Sequence, residues 1–138
     1  NNWQPAAAAD FCQRVPGACR PALPIACGQT VSGRNDAPGS TDAIDTYDCL
    51  PYPEEGPELT YSFVATADGT ARATLSNLGA DLDVFVLRDD GLGCNQQSCI
   101  GGANEALDFP VTAGSTYYIV VEGYAGAAGA YDLTLECL

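Results

Sequence analysis

Leu59-Thr60-Tyr61-Ser62-Phe63-Val64-Ala65 is the stretch from which the fold can be read. Leu59, Tyr61, Phe63 and Ala65 fall on one side of an extended chain, and Thr60, Ser62 and Val64 on the other. That period of two marks a strand with one face against a core. The same rhythm recurs at Ala71, Ala73 and Leu75, at Tyr117, Ile119 and Val121, and at Tyr131, Leu133 and Leu135. Leu82-Asp83-Val84-Phe85-Val86-Leu87 becomes apolar on both faces, as a central strand does. Weaker strand patterns lie at residues 29–32, 44–49 and 107–111. Asp68-Gly69, Asp90-Gly91, Ala113-Gly114 and the glycines at 126–129 separate the runs as turns. The expected class is all-β: a β-sandwich of jelly-roll type with about eight antiparallel strands.

Residues 1–26 read differently. They are rich in alanine and proline, Pro5 can open a short helix, and Pro16-Gly17 would end it. Pro21 and Pro24 then favour an extended path. The expected organisation is an N-terminal arm over 1–26 and a sandwich over 27–138. The chain opens on Asn1 without methionine, which reads as a processed mature protein.

Composition narrows the chemistry. The 138 residues carry 18 acids against 5 bases, a net charge of −13, and no histidine; the bases are all arginine. Such a charge repels phosphate backbones, so nucleic acid is a poor partner. No apolar stretch approaches the roughly 18 residues of a membrane helix, so membrane insertion is not expected. Without histidine there is no Ser–His–Asp or Cys–His catalysis and no histidine-ligated metal. Without lysine there is no Schiff base. The expectation is a protein that is not an enzyme.

Seven cysteines lack metal-site spacing and point to an oxidising, extracellular setting. Cys94 and Cys99 enclose four residues, as in a small loop closed by a bridge. Cys12 and Cys19 could close a similar loop. Two of Cys27, Cys49 and Cys137 are expected to pair, which leaves one thiol over.

The candidate metal ligands are carboxylates. Asp81 and Asp83 share one strand face, with side chains roughly 6–7 Å apart. They are either a solvated strand edge or part of a calcium site, since calcium takes six to eight oxygens. Asp42 and Asp45 sit in the oxygen-rich loop 35–48, which lacks the EF-hand order. Glu58 and Glu122 flank apolar strands, either solvated on an outer face or acting as ligands. Tyr61, Phe63, Phe85, Phe109, Tyr117 and Tyr131 have core-facing spacing. Trp3, Tyr118 and Tyr124 are the better candidates for exposed contacts.

Several motifs together carry a family resemblance. They are Cys27-Gly28-Gln29-Thr30-Val31-Ser32-Gly33, Gly56-Pro57-Glu58-Leu59-Thr60-Tyr61, Ala80-Asp81-Leu82-Asp83-Val84-Phe85, and Tyr117-Tyr118-Ile119-Val120-Val121-Glu122-Gly123. Over about 27–137 the chain resembles the bacterial pre-peptidase C-terminal domain, in the cysteine-bearing form of secreted proteins. The resemblance implies a non-catalytic jelly-roll sandwich, and it strengthens Asp81 and Asp83 as calcium ligands. Two readings follow. One is a secreted structural or adhesive subunit of the bacterial cell surface, calcium-stabilised and associating with copies of itself through the arm. The other is a calcium-dependent accessory domain of a secreted peptidase that binds protein or polysaccharide.

Overall fold

The structure is a computed structural model and describes residues 21–42, 44, 47, 49, 54–91, 94 and 96–138. Nine strands are described: β1 (Pro21–Pro24), β2 (Gln29–Arg34), β3 (Glu58–Val64), β4 (Gly69–Ser76), β5 (Leu82–Arg88), β6 (Cys99–Ala103), β7 (Ala106–Val111), β8 (Thr116–Gly123) and β9 (Ala130–Cys137). They form a five-stranded sheet in the order β1-β3-β8-β5-β6 and a four-stranded sheet in the order β2-β9-β4-β7. The expected all-β sandwich is what the chain forms.

The main core lies between the sheets. Leu59, Tyr61 and Phe63 of β3, Val84 and Val86 of β5, and Ile119 and Val121 of β8 face Ala73, Leu75, Leu133 and Leu135 of the other sheet. These are the positions that the period of two assigns to the buried face. The Tyr61 and Tyr131 hydroxyls, buried there, satisfy each other at 2.7 Å. Gly33 of β2 lies directly over them. A Cβ at that position would sit 2.9 Å from the Tyr61 hydroxyl, so only glycine passes without displacement.

A second apolar cluster covers the opposite face of the five-stranded sheet. Phe85 and Leu87 of β5 and Tyr118 and Val120 of β8 pack there against Ile44, Tyr47 and Cys94. Tyr47 stacks on Phe85 with centroids 3.9 Å apart and planes 6° from parallel. This is why residues 82–87 read as apolar on both faces. One face looks into the sandwich and the other lies beneath the excursion between β2 and β3.

Four expectations are corrected. Residues 21–26 belong to the sandwich and not to an arm: β1 pairs with β3, and Ile25 is buried in the main core. That pairing is parallel, so the strands are not all antiparallel. In the stretch 44–49 the described residues Ile44, Tyr47 and Cys49 belong to none of the nine strands and serve the second cluster instead. Tyr118 is buried rather than exposed, because that cluster covers it. Of the arm proper, residues 1–20, including Pro5, Trp3, Cys12 and Cys19, lie outside the described residues.

Candidate functional site: a row of buried carboxyl groups

Register builds the site. Glu58 of β3 pairs with Glu122 of β8, and Glu122 pairs with Asp83 of β5. Paired residues in adjacent strands point to one face. Three acids therefore form a row across three strands, on the face that carries the second apolar cluster. Glu54 arrives from the excursion before β3. Glu54, Glu58 and Glu122 are fully buried and Asp83 is 4% exposed. Buried acids are rare because desolvation penalises their charged form.

The four are held differently. Glu58 is satisfied: its oxygens accept from the Thr41 hydroxyl at 2.7 Å and from the Ile44 backbone N–H at 3.3 Å. Thr41 also pairs through its backbone with Glu58, which pins the start of the excursion to the sheet. Glu122 Oε1 accepts from the Tyr47 hydroxyl. Among the described residues, Glu122 Oε2, Asp83 Oδ1 and both oxygens of Glu54 have no hydrogen-bond partner.

Burial sets their protonation. It pushes Glu122 up to about 11 against the lowering effect of the Tyr47 hydroxyl, and nearby Glu58 and Glu54 add to the rise. Glu54 is pushed up to about 9, by burial first and then by the facing Asp83 carboxyl. Burial raises Asp83 as well, and the Asp81 charge adds to this. At neutral pH Glu54 and Glu122 are therefore neutral acids when nothing positive is bound.

This gives the stability of the protein a definite pH dependence. Glu54 and Glu122 bind protons more tightly in the folded chain than at their ordinary 4.5. Their contribution is fully present below that value and is lost as pH rises toward 9 and 11. The melting temperature should fall by several degrees between pH 5 and pH 9. Glu122→Gln, which keeps an acceptor for Tyr47, should shrink the fall. A thermal-melt series checks this, and equal slopes for the two proteins would contradict it.

Asp83, at one end of the row, borders a cleft of about 250 Å³ that Asp81, Asn104 and Tyr124 also line. Asp81 is exposed at its mouth, and its backbone carbonyl accepts from the Tyr124 N–H at 3.0 Å. Tyr124 is 37% exposed, in keeping with its position after β8. Behind the row, Asn35 is fully buried and ties three loops together. Its amide donates to the Pro57 and Ala127 carbonyls at 2.9 and 3.0 Å, and its oxygen accepts from the Gly129 N–H at 2.8 Å.

Of the six acids expected to bind metal, the structure brings Glu58, Asp81, Asp83 and Glu122 to one end of the five-stranded sheet. Asp42 is exposed in the excursion, and Asp45 lies outside the described residues. The unpartnered oxygens of Glu54 and Asp83 have the hard-donor chemistry that suits calcium. As the side chains stand, no group of three or more acids or cysteines among the described residues is arranged to hold a metal ion. Sequence reasoning misses Glu54, Tyr47, Thr41 and Asn35. Glu54, Thr41 and Asn35 come from irregular chain, where no period shows which way a residue points, and Tyr47 lies in the stretch 44–49 that reads as a weak strand.

Two disulfides are described. Cys27 joins Cys137, with Cα atoms 5.4 Å apart, and ties the turn before β2 to the end of β9. Cys49 joins Cys99, with Cα atoms 5.6 Å apart, and anchors the excursion at β6. The expected local Cys94–Cys99 loop is thereby corrected. Cys99 is taken by Cys49, which the excursion carries across the sheet, and Cys94 is buried in the cluster beside them.

Fold and site together define a disulfide-bonded β-sandwich with an acidic end to one sheet. Residues 57–123, from the start of β3 to the end of β8, match the family model of the bacterial pre-peptidase C-terminal domain. The resemblance read from the sequence is borne out over this stretch, which contains Glu58, Asp81, Asp83 and Glu122. Among solved structures, the pre-peptidase C-terminal domain of a collagenase from Bacillus anthracis is similar. It is 14% identical, with a TM-score of 0.56, over 85% of this chain and 97% of that one. A periplasmic inhibitor of g-type lysozyme from Aeromonas hydrophila is similar too, at 15% identity and a TM-score of 0.50, over 85% of this chain and 100% of that one. At these identities the likeness concerns the fold. No curated protein matches the chain.

Proposed function

We propose that this chain is a non-catalytic module of the bacterial cell exterior that associates with copies of itself through its N-terminal segment. The observation that carries the reading is β1. Every residue of this short strand is exposed, yet it completes the edge of the five-stranded sheet by pairing with β3. It leads directly from residues 1–20. A sheet edge finished by an extended terminal segment is the geometry of strand-addition assembly. The disulfides and the match to a domain family of secreted peptidases support an extracytoplasmic setting. Mass measurement of the non-reduced protein over a concentration series tests the association. Oligomers that grow with concentration, and fail to grow when residues 1–20 are deleted from a chain that still melts cooperatively, are expected. A monomer at every concentration overturns the reading.

The unpartnered buried oxygens favour a second reading: a calcium-stabilised accessory domain that binds protein or polysaccharide. Asp81, Asp83 and Glu54 would hold the ion. Calcium should then raise the melting temperature by a few degrees, chelator should reverse it, and Asp83→Asn should abolish it. An unchanged melting temperature rules this out.

A further inference from the structure

Among the described residues no arginine pairs with Asp81 or Asp83, and the chain has few to offer. Arg34 pairs with Asp36 at 2.9 Å and Arg72 with Asp108 at 2.6 Å. Arg88 donates to Ser115 from the far end of β5. Arg88 lies five positions along the strand from Asp83, on the order of 17 Å. The remaining arginines, Arg14 and Arg20, are both in residues 1–20. That segment holds a single acid, Asp10, while the other 17 of the 18 acids lie in residues 21–138. The chain is thus divided into a segment of net positive charge and a strongly acidic body.

We propose that the cleft at Asp81, Asp83, Asn104 and Tyr124 receives an arginine of residues 1–20 from a second copy of the chain. The inference rests on the self-association reading and names its contact. Asp83 is 4% exposed, lines the cleft and keeps Oδ1 unpartnered. Asp81 stands two residues away on the same face. A guanidinium presents five donors in a planar fork that matches carboxylates, and its flat face stacks on an exposed tyrosine ring such as Tyr124. A contact between a segment of one copy and a cleft of the next is head-to-tail, so it propagates into chains unless a ring closes.

The test uses the full non-reduced chain and charge reversals at each side of the contact. Asp81 is exposed, so Asp81→Arg should keep the native melting transition while weakening association at least tenfold. A chain carrying both Arg14→Glu and Arg20→Glu should do the same. Each variant retains the half that the other has lost. Mixing the two should therefore restore association in sedimentation velocity, because the two reversed halves are complementary to each other as well. Wild-type association that survives Asp81→Arg overturns this inference and leaves self-association standing. A wild type that is monomeric throughout overturns both. A mixture that fails to associate assigns the contact to one molecule and overturns the proposal. Calcium chloride that raises the melting temperature in wild type but not in Asp83→Asn, without changing association, gives the cleft to the metal and overturns it too.

Discussion

Gly123→Ala is expected to destabilise the protein by at least about 3 kcal/mol, beyond the usual cost of overpacking. The backbone angle there is ordinary, with φ −91°, so left-handed strain is not the cause. The cause is contact. A Cβ on Gly123 would sit 1.6 Å from the Ala127 carbonyl oxygen and 2.6 Å from its carbon. Both are backbone atoms, so no side chain can swing aside. The same oxygen accepts from Asn35, and the Gly123 carbonyl accepts from the Gly56 N–H at 3.0 Å. Displacing the turn after β8 therefore disturbs Asn35, the approach to β3 and the cleft wall at Tyr124 together. The melting temperature should fall by about 10 °C or more. A change below about 2 °C would mean that the turn yields freely, contrary to the packing described.

The second large effect is expected from the bridge between Cys27 and Cys137. Its ends are 110 residues apart in sequence. In the chain-entropy account, closing a loop of about 100 residues limits the unfolded state by about 4.7 kcal/mol. The double substitution Cys27→Ala with Cys137→Ala should remove a stability of that order. In denaturant the midpoint should drop, and the slope should rise because the unfolded chain becomes more expanded. β2 pairs with β9 from Gln29 to Arg34, so the native sheet holds these ends together without the bond. The fold should therefore persist at low temperature with its near-ultraviolet signal intact. Loss of that signal at 10 °C would show that the bridge is needed to form the sheet and not only to limit its unfolding.

Much of the scaffold is legible in the order of residues alone. The alternation at Leu59–Ala65 marks β3, and its counterparts mark β4, β8 and β9, because a strand repeats its face every two residues. Two strands escape that pattern. β6 reads Cys-Ile-Gly-Gly-Ala, and its adjacent glycines carry no face pattern. β1 contains two prolines and exposes every residue, so nothing in it signals a core. The boundary of the arm shifts with it. The site is legible in part: Asp81, Asp83, Glu58 and Glu122 stand out singly, while their alignment does not. Strand order β3-β8-β5 creates the row, and residues 64 positions apart in sequence, Glu58 and Glu122, meet only through that order. The partner of Cys99 is likewise set by where the excursion crosses the sheet, which spacing along the chain does not encode.

Sequence by itself determined the class: an acidic all-β protein without histidine, whose buried faces follow from a period of two. That is local information, since each residue's side of a strand depends on its immediate neighbours. Only tertiary structure decided that four acids are buried together at one end of a sheet, that Tyr47 and Phe85 seal a second apolar layer, and that Gly123 admits no side chain. Those outcomes depend on which distant segments lie side by side. Desolvation and close contact are properties of that arrangement, and no single stretch of chain carries them.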